Sequence, residues 1–230
     1  MQRALAIETS GRTGSVALVD GQEIIEAEFP HGLKHAAGII PLIERLCQDR
    51  KLPPPDLREL YVSVGPGSFT GLRIGITLAK TLAFATGAKL VAVPTVRVLV
   101  ENAPPGANDV VIVLDAKRDQ IYTARFHRRG DRWVQQEPAH LDSLAAMLHR
   151  SGRPVYLLGE GMPFHEKFIP KDDPSIVITS PQAWAARASV VARIGREMAD
   201  ARIFVEPDRL LPVYIRPPEA EEKFDHQRFM

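Results

Sequence analysis

Two glycine-rich stretches carry the residue types most capable of chemistry. Ile7-Glu8-Thr9-Ser10-Gly11-Arg12-Thr13-Gly14-Ser15 joins two apolar runs through a turn of Gly, Ser and Thr. Turns of this kind expose backbone N–H groups that can surround a phosphate, and an acidic residue at a strand end can hold a metal ion. On that reading Thr9, Ser10 and Ser15 are phosphate-loop candidates and Glu8 a metal-ligand candidate; a plain hairpin turn accounts for the same residues. The second stretch, Gly65-Pro66-Gly67-Ser68-Phe69-Thr70-Gly71-Leu72-Arg73-Ile74-Gly75, reads as a strand exit, a tight turn and a helix start. Exposed N–H groups and the helix dipole attract anions at such a place. No Gly-Lys-Ser/Thr follows, so it is not a P-loop, and its glycine spacing is not that of a dinucleotide fingerprint.

The helix that follows has Gly71, Gly75, Ala79 and Ala83 at every fourth position, a groove almost free of side-chain bulk. Interior glycine costs a helix up to ~1 kcal/mol relative to alanine, so keeping two implies a close backbone approach. The approaching group is either the chain's own sheet or a helix of a partner subunit. Three further groups have weaker chemistry. His31 and His35 stand at i and i+4, a zinc spacing, but Gly32 disfavours helix there and neither a third ligand nor a catalytic Glu accompanies them. Ser68 has no histidine in context and stands where a helix cap belongs. Arg125 to Arg132 holds four arginines in eight residues at a hairpin turn, either a solvated turn or an RNA-phosphate contact through Arg128 and Arg129. No catalytic residue and no metal site is expected.

The elements that must position these groups follow from periodicity and punctuation. Arg3–Thr9, Thr13–Val19 and Gln22–Phe29 read as an antiparallel meander, with Asp20-Gly21 a hairpin signal. His35–Arg50 has helical spacing at Ile39, Leu42, Ile43 and Leu46, interrupted by Pro41, which is expected to kink the helix or delay its start. Leu60–Val64, a helix from Ser68 or Thr70 to about Thr86 and Lys89–Val93 form a parallel strand–helix–strand unit. Asn102 to Gly106 divides the chain into a first lobe, residues 1–102, and a second lobe, residues 103–230. In the second, Asp109–Leu114, Gln120–Phe126, Arg132–Gln135 and Val155–Leu158 are expected strands and Asp142–Arg150 a helix. Residues 163–174 read as irregular. A long alanine-rich helix is expected over residues 181–202, packing back toward the first lobe.

Of the 230 residues, 45% are hydrophobic and 25% charged, with 29 Lys plus Arg against 28 Asp plus Glu and a net charge of +1. This is the composition of an ordinary globular chain, and it excludes disorder over most of its length. Near-neutral charge argues against a protein held mainly by phosphate backbones or anionic membranes. Cys47 is the single cysteine, inside an apolar helical pattern, and is expected to be a buried thiol. No signal peptide and no uncharged run of ~20 apolar residues is present, so a cytoplasmic location without membrane attachment is expected.

With these residues in place, the chain resembles the TsaB (YeaZ) family of bacterial tRNA threonylcarbamoyladenosine biosynthesis from residue 2 to about 222. The Gly65–Gly75 segment matches the family pattern without a gap. Leu5-Ala6-Ile7-Glu8-Thr9-Ser10 is similar to its Ile-Asp-Thr-Ser strand and turn, with Glu8 for the aspartate. His35 with Ile39-Ile40-Pro41-Leu42-Ile43 resembles its histidine and Leu-Leu-Pro helix. Asp115-Ala116-Lys117-Arg118 through Tyr122 resembles its Asp-Ala-Arg hairpin, and Pro212–Arg216 with Glu219-Ala220-Glu221 its C-terminal signature. The resemblance implies an α/β fold, two-lobed and actin/sugar-kinase-like (ASKHA, ribonuclease H-like), with mixed sheets flanked by helices. It implies a non-catalytic subunit that binds the paralogue TsaD, recruits the ATPase TsaE, forms a homodimer when alone and meets tRNA through the complex. No cofactor of its own is implied, although a nucleotide shared at the TsaD interface is compatible with it. The partner face is expected at His35, Leu42, Leu46, Gly71, Leu72, Gly75 and Ala79. The rival readings are an ASKHA-type ATP-dependent phosphotransferase using the Thr9–Ser15 turn and, more remotely, a metallopeptidase-like protein.

Overall fold

The computed structural model describes residues 2–29 and 35–216, except for the side chains of residues 35–37. The chain builds two five-stranded mixed sheets in succession. The first contains β1 (Arg3–Glu8), β2 (Ser15–Asp20), β3 (Glu23–Glu28), β4 (Glu59–Ser63) and β5 (Lys89–Val93), in the order β3-β2-β1-β4-β5. β1, β2 and β3 form the antiparallel meander, and Asp20 pairs with Glu23 across a two-residue turn in which Gly21 takes φ +60°. β4 joins β1 and β5 joins β4 in parallel. Three helices belong to this half: α1 (His35–Asp49), α2 (Phe69–Thr86) and α3 (Thr95–Val100).

Side-chain alternation along the strands decides which helices cover which face. Leu5, Ile7, Val16 and Leu18 share a core with Ile39, Ile43, Leu46 and Cys47 of α1 and with Ile76, Ala79 and Ala83 of α2. Burial raises the Cys47 thiol above its ordinary range, so it is an inert core group. α1 runs through Pro41 rather than starting after it. Ser68 caps α2 by accepting the Gly71 N–H at 3.2 Å, and Gly87, at φ +73°, closes it.

The second sheet holds β6 (Asp109–Asp115), β7 (Ile121–Arg129), β8 (Arg132–Asp142), β9 (Val155–Leu158) and β10 (Ile176–Ile178), in the order β10-β9-β6-β7-β8. α4 (Leu144–Arg150), α5 (Met162–His165) and α6 (Ala188–Asp200) complete the chain. The opposite face of the first sheet carries small residues, Ala4, Ala6 and Ala17, which let α6 approach closely. A Cβ on Gly195 of α6 would stand 2.4 Å from the Tyr61 ring. α3, α6 and the inner residues Val110, Ile112, Ala124 and Phe126 of the second sheet close one core shared by both halves.

Several expectations are corrected. The helix expected over residues 181–202 begins only at Ala188; Pro181–Ala183 is a single 3-10 turn and Arg187 is extended. The intervening groups are held by other parts of the chain: Asn102 donates to the carbonyls of Ala183 and Ala185, and the Trp184 indole donates to the Thr179 carbonyl at 3.0 Å. β8 runs on to Asp142, so α4 starts two residues later than expected, at a Ser143 cap. Residues 162–168, partly within the expected irregular stretch, form α5 and a 3-10 turn. α3 was not foreseen because Thr95–Val100 is a run of six residues, four of them β-branched, a composition that favours strand.

The small-residue stripe of α2 faces the chain's own first strand. A Cβ on Gly71 would fall 1.9 Å from the Thr9 carbonyl oxygen, and one on Gly75 2.3 Å from Thr9 Oγ1. Gly71→Ala is therefore expected to destabilise the protein by roughly 1–3 kcal/mol, despite alanine's better helix propensity. Chemical denaturation measures this, and a variant as stable as the native chain would contradict the contact.

Candidate functional site

The two glycine-rich stretches singled out in the sequence pack directly on one another. β1 delivers Glu8, Thr9 and Ser10 to the start of the turn, and the Gly65–Ser68 turn lies flat against them. Gly67 approaches so closely that a Cβ would fall 2.4 Å from the Ser10 carbonyl oxygen, and the Ser68 N–H donates to that oxygen at 2.7 Å. Thr9 Oγ1 donates to the Gly71 carbonyl at 2.8 Å. The Ser68 N–H and the Thr9 hydroxyl, both proposed for anions, are thus spent within the seam.

The same holds for the remaining phosphate-loop and metal-ligand candidates. Ser15 Oγ donates to Glu26 at 2.8 Å and accepts the Ala188 N–H at 2.9 Å, so it caps α6 from another strand. Glu8 is wholly buried; its Oε1 accepts the Ser10 N–H at 2.6 Å and the Ser10 hydroxyl at 2.5 Å, and its Oε2 accepts the Ser63 hydroxyl. Burial raises the Glu8 carboxyl above its ordinary range, against the hydrogen bonds from Ser10 and Ser63, and nearby Glu160 raises it further. A carboxyl sealed in this way is a poor ligand for a catalytic cation. Among the described residues no group of three His, Cys, Asp or Glu side chains could hold a metal ion; His31, and the side chain of His35, lie outside the described residues.

The partner-face expectation changes as well. Leu46, Gly71, Leu72, Gly75 and Ala79 are all interior, because this flank of both helices is consumed by the sheet. Leu42 is half-buried against that core, and His35 opens α1. The groove is corrected to an internal seam. The exposed flank instead presents Phe84, 94% exposed on α2, and Ile40, 54% exposed on α1. The spacing of apolar residues could have flagged Phe84, since it lies on the side of α2 opposite the glycine stripe.

A strap built from the C-terminal signature residues Val213, Tyr214 and Arg216, whose packing role was not legible in the sequence, covers the start of α2. The Val213 N–H donates to the Val64 carbonyl at 2.7 Å, Tyr214 stacks on Phe69 with centroids 4.8 Å apart, and Arg73 lies over Phe69 while donating to the Tyr214 hydroxyl at 2.9 Å. Arg216 then donates to the Ala116 carbonyl at 2.6 Å, tying the strap to the Asp115–Gln120 hairpin. Glu219-Ala220-Glu221 lies outside the described residues. In the arginine-rich hairpin, Arg128 leans on Trp133 and Arg129 pairs directly across from Arg132 at the exposed tip.

Between the lobes, Ser10, Gly11, Thr95, Leu99, Leu114, Glu160, Trp184 and Ala186 line a cleft whose room for a water-sized sphere is ≈ 10 Å³. That is the scale of one water molecule.

The Glu8 environment has a pH consequence. Its carboxyl is raised in the folded chain, so the stability it contributes is complete below the ordinary value of 4.5 and is lost as pH rises through the folded value. Glu8→Gln, which removes this ionisation, is expected to gain stability over the native chain as pH rises from 4.5 toward neutrality. Urea unfolding across that interval checks it; a constant difference would contradict the buried-carboxyl account.

Comparison with known proteins places this geometry. The family model described as TsaD: tRNA N6-adenosine threonylcarbamoyltransferase matches residues 32–199. The tRNA threonylcarbamoyladenosine biosynthesis protein TsaB of Bacillus subtilis (strain 168) is 34% identical over 227 residues, covering 96% of this chain and 96% of that one. The protein of the same name from Escherichia coli (strain K12) is 33% identical over 132 residues, 55% of each. The solved structure of YeaZ from Pseudomonas aeruginosa shares the fold, with a TM-score of 0.78 at 22% identity over 93% of this chain and 100% of that one. The two-lobed α/β architecture with mixed sheets and flanking helices is therefore that of these proteins, and the chain belongs to the TsaB (YeaZ) family.

Proposed function

We propose that this chain is a non-catalytic, activating subunit of the cytoplasmic complex that transfers threonylcarbamoyl to the adenosine beside the anticodon of tRNA. It binds TsaD, the subunit that performs the transfer, and recruits TsaE; alone, the same surface pairs two copies. It needs no cofactor of its own. One observation supports this most: α2 is held to the core by two glycines without clearance, yet turns Phe84 almost fully into solvent. A large aromatic on a rigid helix is the usual anchor of a protein interface. The internal bonding of Glu8, Thr9, Ser10 and Ser15 weighs against the phosphotransferase reading, which needs those groups for metal and phosphate. The metallopeptidase reading has no ligand cluster among the described residues to support it.

Copurification with TsaD, followed by tRNA modification with and without this chain, tests the proposal. Phe84→Asp is expected to weaken TsaD binding by at least roughly tenfold while leaving the melting temperature unchanged, because the side chain packs on nothing it would unfold. Native affinity in that variant would remove Phe84 from the interface. Brisk modification of adenosine by the isolated chain would overturn the non-catalytic reading.

A second surface supports an RNA contact. Arg129 and Arg132 are directly opposed across the β7–β8 hairpin, an arrangement that costs stability unless an anion answers it. Arg128→Glu with Arg129→Glu is expected to lower tRNA affinity of the assembled complex and flatten its salt dependence, with TsaD binding intact. Unchanged affinity would leave the hairpin a solvated turn.

A further inference from the structure

After β9 the chain passes through Gly159-Glu160-Gly161, and this turn reaches across to the first lobe. Its backbone is pinned to β6. Gly159 takes φ +139° and a Cβ there would fall 2.3 Å from the Val113 carbonyl oxygen; a Cβ on Gly161 would fall 2.7 Å from the Asp115 nitrogen. The Gly161 N–H donates to the same Val113 carbonyl at 3.0 Å. Neither position has room for a side chain, so the turn presents Glu160 from a fixed base.

The Glu160 carboxylate accepts the Arg12 N–H at 2.8 Å. It also lies directly over Gly11, where a Cβ would stand 3.0 Å from both of its oxygens. A carboxylate that takes a backbone N–H of a Gly/Ser/Thr turn and packs against its glycine stands where such turns hold phosphate. The same turn is tied to the second lobe a second time, by the Arg12 guanidinium 4.9 Å from the Phe164 ring centroid of α5. Lys117 Nζ lies 5.7 Å from that ring.

We propose that the Ser10–Gly14 turn is an anion site whose resident anion is the chain's own Glu160 carboxylate, which latches the lobes together and excludes phosphate groups. A phosphate at this turn would meet Glu160 as a like charge within contact distance and, when ionised, Glu8 beneath it. The cleft beside it, with room for about one water, offers the phosphate no alternative position. The turn thus keeps the shape of a phosphate loop while its ligand is built into the other lobe. This goes beyond the partner-binding reading and stands or falls separately from it.

Amide NMR of the full chain tests the latch, with inorganic phosphate and with ATP as probes, for the native protein, Glu160→Ala and Glu160→Gln. In the native chain the Gly11 and Arg12 amide signals are expected to stay in place as either probe is added. In Glu160→Ala both should shift saturably, with affinity higher by roughly tenfold or more. Glu160→Gln preserves the side-chain volume and an acceptor for the Arg12 N–H, so it keeps the fold if the alanine variant does not; loss of its charge alone should admit a shift at Arg12. ATP acting more strongly than phosphate would identify a nucleotide's phosphates as the excluded ligand, and equal strength the anion alone. No shift at these amides in either folded variant overturns the proposal, as do equal shifts in the native protein.

Discussion

The contact on which most of the structure depends is the approach of the Gly65–Gly75 backbone to Thr9 and Ser10. Three glycines meet the first strand and its turn where even a methyl group would collide: Gly67 on the Ser10 carbonyl, Gly71 on the Thr9 carbonyl and Gly75 on the Thr9 hydroxyl. Hydrogen bonds from Ser68 and Thr9 close the same seam. The glycines lose helix propensity, and the tight seat of α2 offsets that loss. With α2 seated, its outer flank is rigid, and Phe84 is presented from a helix that cannot retreat.

From this seam the other features follow in order. Ser10 is held by Gly67 and Ser68 on one side and by Glu8 on the other, so the turn at residues 10–14 has a defined backbone. A defined turn can receive Glu160 from the second lobe. The strap at Val213 and Tyr214 covers the other end of the seam and passes on to the Asp115–Gln120 hairpin through Arg216. The two lobes are therefore joined by polar contacts at both edges of a core that α3 and α6 fill between the sheets.

These contacts describe a two-lobed α/β frame whose polar groups are turned inward. Glu8 is buried and bonded to two serines, Ser15 caps a helix, and a carboxylate occupies the anion position. Binding of phosphate or metal at the residue 8–15 turn would need those groups free. What stays outward is an exposed aromatic on α2 and an arginine-bearing hairpin tip, features suited to being bound.

Local signals determined the two-lobed α/β plan, the meander, the caps of α2 and the family, because alternation, Asp-Gly and Gly-Pro-Gly act over a few residues. The spacing of Gly71, Gly75 and Ala79 also showed that something must approach closely. Only the tertiary structure decided what: a glycine stripe states the absence of bulk and carries no information about the group that fills it. The same limit applies to residues 181–187, whose helical composition lost to bonds from Asn102, 81 and 83 positions away, and to the Trp184 bond back to Thr179. It applies to Glu160, which nothing local distinguishes from a surface acid. Its role comes from a contact spanning 148 positions of the chain, and such contacts exist only once both lobes have packed.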